Sequence, residues 1–168
     1  GEVCVVCHTP HNAVAVTGAP LWNRVESVAT YVVYASSTLD AGVLGQPGTE
    51  SKLCLSCHDG TVGLGDFGGT TGNTDYVTGD ALVDTDLSDD HPIGFDYTTA
   101  LATTDGELAD PSVITSGLGG TIAADMLFSD ALECASCHDV HDGAATMFLI
   151  KANAASALCL TCHSTTGS

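Results

Sequence analysis

Cys134-Ala135-Ser136-Cys137-His138 is the pattern from which the rest of this sequence can be understood. The same Cys-x-x-Cys-His spacing occurs three more times, as Cys4-Val5-Val6-Cys7-His8, Cys54-Leu55-Ser56-Cys57-His58 and Cys159-Leu160-Thr161-Cys162-His163. We number these stretches motifs 1 to 4 in chain order. They contain all eight cysteines of the 168-residue chain. One repeated local unit therefore dominates the sequence.

Cys-x-x-Cys-His is the attachment signature of c-type haem. Two thiols separated by two residues reach the two vinyl groups of one porphyrin, and the next residue offers an imidazole to the iron. The sequence thus predicts four haem c groups, bound through thioethers to Cys4, Cys7, Cys54, Cys57, Cys134, Cys137, Cys159 and Cys162. The proximal axial ligands are then His8, His58, His138 and His163.

Three other uses of paired cysteines compete with haem attachment. Structural zinc sites also use Cys-x-x-Cys pairs, but zinc does not need a histidine after every pair. Thioredoxin-like redox motifs occur singly at the start of a helix. A disulfide framework would not repeat one spacing four times. The histidine that ends all four motifs favours haem.

The composition leaves little material for an ordinary side-chain core. Hydrophobic residues make up 44% of the chain, but aromatic residues only 5%, and there are 19 glycines. Haem is large, flat and apolar, so its burial would supply the missing apolar area. We therefore predict a mostly irregular chain with few short helices and strands, in which a stack of haems forms the core of a multihaem cytochrome c.

The charge balance excludes several classes of partner. Against 21 acidic residues stand only Arg24, Lys52 and Lys151, which gives a net charge of −18. Nucleic acid and anionic membrane surfaces are bound by clustered Lys and Arg, so we expect neither as a partner. No run of 18 apolar residues occurs, so no membrane span is expected. The Asp-rich residues 75–96 lack the spacing of an EF-hand calcium site.

The histidine count falls one short of the number of axial positions. Four electron-transfer haems need eight ligands, and beyond the proximal set only His11, His91 and His141 remain as distal ligands. The eighth position could be taken by Met126 or Met147, by a histidine upstream of Gly1, or could be vacant. Met147, in Met-Phe-Leu-Ile, is expected to pack in the core.

His11 and His141 each follow a proximal histidine by three residues. Three Cα steps span at most roughly 10–11 Å, which is too short to wrap a porphyrin and reach the same iron from its far side. Each is therefore expected to serve another haem or none. His91 precedes Pro92, which holds it extended and suits a rigid ligand.

The motifs divide the chain into two similar modules. Residues 1–59 and 134–168 each carry two motifs and are predicted to be haem-pair modules of one compact unit. Residues 60–133 are a linking region, rich in Gly, Thr and Asp, that contains His91 and is predicted to form loops, turns and short strands. Residues 30–37 are the best candidate strand. Short helical turns are expected at each motif, with 152–158 leading into the last.

Several phrases are more specific than the haem motif itself. They are Cys7-His8-Thr9-Pro10-His11-Asn12-Ala13, Pro20-Leu21-Trp22-Asn23, Cys57-His58-Asp59-Gly60-Thr61-Val62-Gly63, His91-Pro92-Ile93-Gly94 and Cys137-His138-Asp139-Val140-His141. Together they resemble OmcE-type extracellular multihaem cytochromes. The resemblance runs over most of the chain, although residues 60–133 match only around His91.

The resemblance implies secreted tetrahaem subunits that polymerise into filaments with a continuous chain of haems. In such filaments a histidine of one subunit ligates a haem of the next, and His11 is the candidate for that role here. Relatives tend to place a histidine where Arg24 follows Leu-Trp-Asn, and another upstream of Gly-Glu-Val-Cys. Either difference would account for the missing eighth ligand.

Electron transfer is the function that these features favour, and we expect no enzymatic activity. The leading hypothesis is a bis-histidine conductor outside the cell or at its surface, forming a homopolymer that passes electrons to other redox proteins or extracellular acceptors. One alternative is a soluble periplasmic tetrahaem shuttle that docks through complementary charge. Another is a multihaem reductase with one open haem iron, although three basic residues make an anion site hard to build.

Overall fold

A computed structural model describes residues 3–164, which form two compact units. The first unit comprises the described residues up to Tyr34 together with Gln46–His91, and it carries motifs 1 and 2. The second comprises Ala35–Gly45 and the described residues from Pro92 onward, and it carries motifs 3 and 4. The motif-based division into 1–59, 60–133 and 134–168 stays a prediction.

The helices are short, and most of the described chain is irregular, as predicted. The α-helices are α1 (Thr49–His58), α2 (Thr99–Asp105), α3 (Ile122–Met126) and α4 (Cys159–Cys162). Single 3-10 turns cover Val3–Val6, Gly79–Ala81, Cys134–Ser136, Thr146–Phe148 and Ala154–Ser156. The helical turn expected at each motif is present. Among these described helices, none has the length and apolar character needed to cross a bilayer.

The described strands pair two by two. Strands β1 (Val14–Val16) and β2 (Ala19–Trp22) are antiparallel, β3 (Val32–Val33) and β4 (Asp86–Leu87) are parallel, and β5 (Phe95–Asp96) and β6 (Ala131–Leu132) are antiparallel.

The strand predicted over 30–37 is present only as β3. It is short because a side chain takes the place of a partner strand beside Tyr31. The Gln46 amide accepts a hydrogen bond from the Tyr31 N–H (2.8 Å) and donates one to its carbonyl (2.9 Å). Further along, Leu39 donates to the Ser36 carbonyl, so the chain turns away.

The region 60–133 contains two α-helices that the sequence analysis did not anticipate. Helix α2 begins after Thr98, whose side chain accepts a hydrogen bond from the Leu101 N–H, and ends at Gly106 with a left-handed φ of 78°. Helix α3 begins after Thr121, whose side chain accepts from the Ala124 N–H. The prediction of loops, turns and short strands for this region was therefore incomplete.

A small apolar core lies in the second unit. Its buried members are Tyr97, Ala102, Ile122, Met126, Leu132 and Leu158. The second cysteines of motifs 3 and 4, Cys137 and Cys162, pack against this cluster. The core thus supports the two attachment loops directly. Met126, only 2% exposed, is one of its central side chains.

Met147 does not pack in the core, so that prediction was wrong. Its side chain is 72% exposed. The reason is its backbone: Met147 adopts φ 58° within the turn Thr146–Phe148, which lies at the surface.

One hydrogen-bonded polar network in the interior of the first unit surrounds Asp59, the residue that ends α1. Tyr31 Oη donates to its carboxylate (2.8 Å), as do the N–H (2.8 Å) and hydroxyl (2.9 Å) of Thr61. Burial alone would raise the pKa of Asp59, but hydrogen bonds from Ser27, Thr61 and Tyr31 outweigh it and lower the pKa. This network holds the end of α1, where His58 lies.

Replacing Met126 should destabilise the second unit. Met126→Ala is expected to lower the free energy of unfolding by about 2–5 kcal/mol, because a buried side chain is lost and a cavity remains. Denaturant unfolding followed by circular dichroism measures this. Val43→Ala, at a side chain 100% exposed in the same unit, is the control and should change stability by less than about 0.5 kcal/mol. A Met126→Leu variant that lost a low-spin haem signal would contradict a packing role.

Candidate functional site

Each motif forms one helical turn that points its three reactive side chains in a common direction. The histidine N–H donates to the carbonyl of the first cysteine at 2.8 Å for His8, 3.1 Å for His138 and 2.9 Å for His163. Motif 2 is the last turn and a half of α1. Residues three and four apart share a helix face, so both thiols and the imidazole lie on the same side.

The imidazoles of three motifs are oriented by main-chain carbonyls. Nδ1 lies 2.8 Å from the Pro20 oxygen in His8, 2.6 Å from the Ala81 oxygen in His58 and 2.9 Å from the Met147 oxygen in His138. A carbonyl can only accept, so Nδ1 carries the proton and Nε2 keeps its lone pair. Metal-binding histidines are typically held in this way, with the second ring nitrogen turned to the metal.

A short segment from elsewhere in the chain runs antiparallel to motifs 1, 3 and 4, and we call it the strap. The straps are residues 21–23, 148–150 and 107–109, respectively. The central strap residue bridges the histidine, in the pairs His8–Trp22, His138–Leu149 and His163–Leu108.

Two backbone hydrogen bonds fasten each strap. The residue after the histidine donates to the first strap residue, from Thr9 to Leu21 (2.8 Å), Asp139 to Phe148 (2.7 Å) and Ser164 to Glu107 (2.7 Å). The last strap residue donates to the second cysteine, from Asn23 to Cys7 (2.9 Å), Ile150 to Cys137 (3.0 Å) and Ala109 to Cys162 (2.8 Å). The histidine is thus held between its own turn and the strap.

Motif 2 uses a different support. The His58 carbonyl accepts from the N–H groups of Val83 (2.8 Å) and Asp84 (3.2 Å), in the segment that also supplies the Ala81 carbonyl to its ring. That segment follows motif 2 by more than 20 residues. The imidazole is therefore again oriented by a distant stretch of the chain.

Left-handed residues shape the straps that serve His8 and His138. Leu21 has φ 57°, and Met147 and Phe148 have φ 58° and 56°. Non-glycine residues pay roughly 1–2 kcal/mol each for this conformation. Such strain persists where the surrounding structure requires it, often at functional sites. Here the strained residues flank or carry the carbonyl that binds the imidazole.

The thiols lack the features of a redox-active or disulfide-forming site. No disulfide joins any two of the eight cysteines. Burial raises the pKa of the Cys137 thiol to about 11 and also raises the pKa values of Cys7, Cys57 and Cys162. Reactive cysteines have lowered pKa values. Within residues 3–164, no three His, Cys, Asp or Glu side chains gather as metal ligands, so no zinc cage is formed there.

Exposed apolar side chains surround the motifs in a way that fits haem. Scattered exposed apolar side chains are normal, whereas a contiguous group of them marks a site that another group covers. Those within a motif, next to it or in its supporting segment are Val3, Val5, Leu21, Leu82, Val83, Val140, Met147, Phe148 and Leu160. Haem would supply one-electron chemistry when bound, and these residues would offer it apolar contacts.

The distal candidates lie at the surface of the described chain. His11, His91 and His141 are all exposed. His141 Nδ1 lies 3.5 Å from Asp139 Oδ1, and the backbone of His11 is held by Thr9, whose hydroxyl donates to the His11 carbonyl (2.9 Å). Their assignment to particular irons stays a prediction.

The straps and the role of Ser136, the third residue of motif 3, were not predicted from the sequence. The strap residues have no common type, so pattern analysis had no signal for them. Ser136 forms a capping box with Glu133, in which the Ser136 hydroxyl accepts from the Glu133 N–H at 2.9 Å, but the order Glu-x-x-Ser is the reverse of the usual sequence signature. Both residues are buried, and the box fixes the start of the motif 3 turn.

Comparison with known proteins supports the interpretation of motifs 3 and 4 as haem attachment sites. A family model described as a doubled CXXCH motif matches residues 128–168, which include motifs 3 and 4. No curated protein matches the chain. The doubled motif indicates haem c binding, and with it a multihaem c-type cytochrome that takes part in electron transfer.

Removing the Ser136 hydroxyl should destabilise motif 3. Ser136→Ala leaves the buried Glu133 N–H without its acceptor, which costs about 1–3 kcal/mol. Denaturant unfolding measures the loss. Ser37→Ala, at an exposed residue of the same unit, should stay within about 0.5 kcal/mol of wild type. Equal stabilities of the two variants would show that the capping box is unimportant.

Proposed function

We propose that the chain carries four haems, one at each motif, and conducts electrons outside the cell as a homopolymer. The observation that carries the proposal is the carbonyl-bound Nδ1 of His8, His58 and His138. In each of these rings the carbonyl engages Nδ1, so Nε2 is the nitrogen that would bind iron. Motifs of this kind occur in both units, and motif 4 has the same strap as motifs 1 and 3.

An electron carrier fits the polar groups of the chain better than an enzyme. A reductase that acts on a small anion needs basic groups directed at its substrate. Arg24 and Lys151 are already bonded to protein oxygens, which leaves Lys52 as the remaining basic side chain. Pure electron transfer asks less of the protein: it must position the haems and adjust their electrostatic surroundings.

Polymerisation would depend on a specific contact. A net charge of −18 makes copies of the chain repel one another. A bond from a histidine of one copy to the iron of another overcomes such repulsion at one defined place. His11 suits this role because it is exposed and lies close in sequence to motif 1, beyond reach of that motif's own iron.

Deleting one cysteine pair should remove one haem. The double variant Cys134→Ala with Cys137→Ala is expected to carry three haems where wild type carries four, as measured by intact mass. Ala135→Ser changes the same motif without touching a thiol and should retain all four. A cysteine variant that still carries four haems, or wild type with fewer than four haems, would contradict the proposed haem number.

Variants of His11 and His141 should distinguish a histidine that links subunits from a histidine that only binds a haem iron. Loss of a distal ligand leaves a high-spin iron that binds cyanide. We expect both His11→Ala and His141→Ala to gain a cyanide-binding fraction, measured by absorption spectroscopy. Only His11→Ala should also lose filaments in electron micrographs.

Normal filaments from His11→Ala would rule out the inter-subunit role of this residue. Wild-type protein that remains monomeric at neutral pH would favour a soluble shuttle that meets a basic partner. A cyanide-binding fraction in wild type would instead favour a reductase with an open iron.

A further inference from the structure

Two of the three basic residues occupy matching positions in the two units. Arg24 follows Asn23, the last residue of the motif 1 strap, which donates to Cys7. Lys151 follows Ile150, the last residue of the motif 3 strap, which donates to Cys137. In a chain with so few cations, the same position after a strap holds a cation in both units.

Both cations reach from the strap of one motif to the attachment loop of the next. Arg24 Nη2 donates to the carbonyl of Ser56 at 2.9 Å, and Lys151 Nζ donates to the hydroxyl of Thr161 at 2.8 Å. Ser56 and Thr161 are equivalent residues, each directly before the second cysteine of its motif. Each cation therefore lies between the two attachment loops of its own unit.

Neutral oxygens bind both cations. Arg24 donates also to the carbonyls of Gly63 (3.0 Å) and Leu64 (3.0 Å), and Lys151 to the carbonyl of Ser116 (2.7 Å). Within residues 3–164 neither makes an ion pair with a carboxylate, although the chain has 21 acidic residues. Arg24 is also completely buried, and its Nε has no hydrogen-bond partner in the described chain.

A charge inside a protein is screened less than a charge in water, so its electric field acts more strongly on nearby groups. Buried charges are usually paired, because desolvation makes them costly. Ser56 and Thr161, which these cations contact, directly precede the attachment cysteines Cys57 and Cys162. The cations thus stabilise negative charge at the place where the haems attach.

We propose that Arg24 and Lys151 have equivalent roles. The positive charge of each raises the reduction potentials of the haem pair in its unit. A ferric haem that accepts one electron lowers its charge by one, and no bond forms or breaks. A fixed positive charge nearby favours the product of that step. The two cations would thereby offset the strongly acidic background at the haems themselves. The inference rests on haem attachment at the four motifs proposed above, and it does not depend on polymerisation.

The test is a potentiometric titration of the haem-loaded full-length chain, followed by visible absorption. In Arg24→Gln and Lys151→Gln, at least one haem should titrate at lower potential. For Arg24→Gln, we expect a drop of about tenfold in its reduced-to-oxidised ratio at a fixed solution potential, which corresponds to about 59 mV for a one-electron couple. The effect of Lys151→Gln should be smaller, because Lys151 is partly exposed to solvent.

Matched variants distinguish the effect of a charge at a particular position from the effect of net charge and from a structural role of the side chain. Lys52→Gln removes the same charge from a partly exposed position on α1 and should shift the ratio less than twofold. Arg24→Lys and Lys151→Arg keep the charge and should titrate close to wild type. Intact mass, taken first on every variant, identifies any failure of haem attachment separately.

Unchanged titrations in both neutral variants with complete haem loading would overturn the proposal. So would an equal shift in Lys52→Gln, since a charge bonded between two attachment loops would then matter no more than one at a partly exposed helix position. If Arg24→Gln does not load haem, Lys151→Gln alone decides: a titration like wild type overturns the proposal.

Discussion

The bond between a histidine Nδ1 and a main-chain carbonyl is the interaction on which this structure depends. In motifs 1, 2 and 3 it fixes the tautomer of the ring, leaves Nε2 as the nitrogen that would bind iron, and joins the attachment turn to a distant segment. The segments that supply these carbonyls also include four left-handed non-glycine residues, Leu21, Asp84, Met147 and Phe148. Because the helices and strands are few and short, the contacts that support the attachment turns largely determine the path of the chain.

The two units repeat one another in hydrogen bonds more clearly than in sequence. Pro20 follows His8 by 12 residues and Met147 follows His138 by nine, yet both carbonyls meet the ring in the same way. The strap bonds to Cys7 and Cys137 correspond one for one, and the basic residue after each of these two straps contacts the next motif. Motif 4 receives its strap from upstream. The arrangement is thus conserved between units although connection lengths and side chains differ.

The sequence predicted the local features and missed the long-range ones. Spacing alone identified the attachment turns, and low aromatic content predicted the irregular fold, because both depend on composition or on neighbouring residues. The straps bind through backbone atoms, which nearly any residue type can supply. The residue types of Leu108 and Trp22 therefore did not indicate a strap. Met147 was assigned to the core from its apolar neighbours, which cannot reveal a left-handed turn. The α2 caps, Thr98 and Gly106, were readable signals that were not used.

A density map of the haem-loaded protein at near-atomic resolution would test this account most directly. The account predicts iron bound by Nε2 of His8, His58, His138 and His163, with the Nδ1 atoms of the first three still bonded to the carbonyls of Pro20, Ala81 and Met147. Rings turned so that Nδ1 faces the metal, or zinc held between the cysteine pairs, would contradict it.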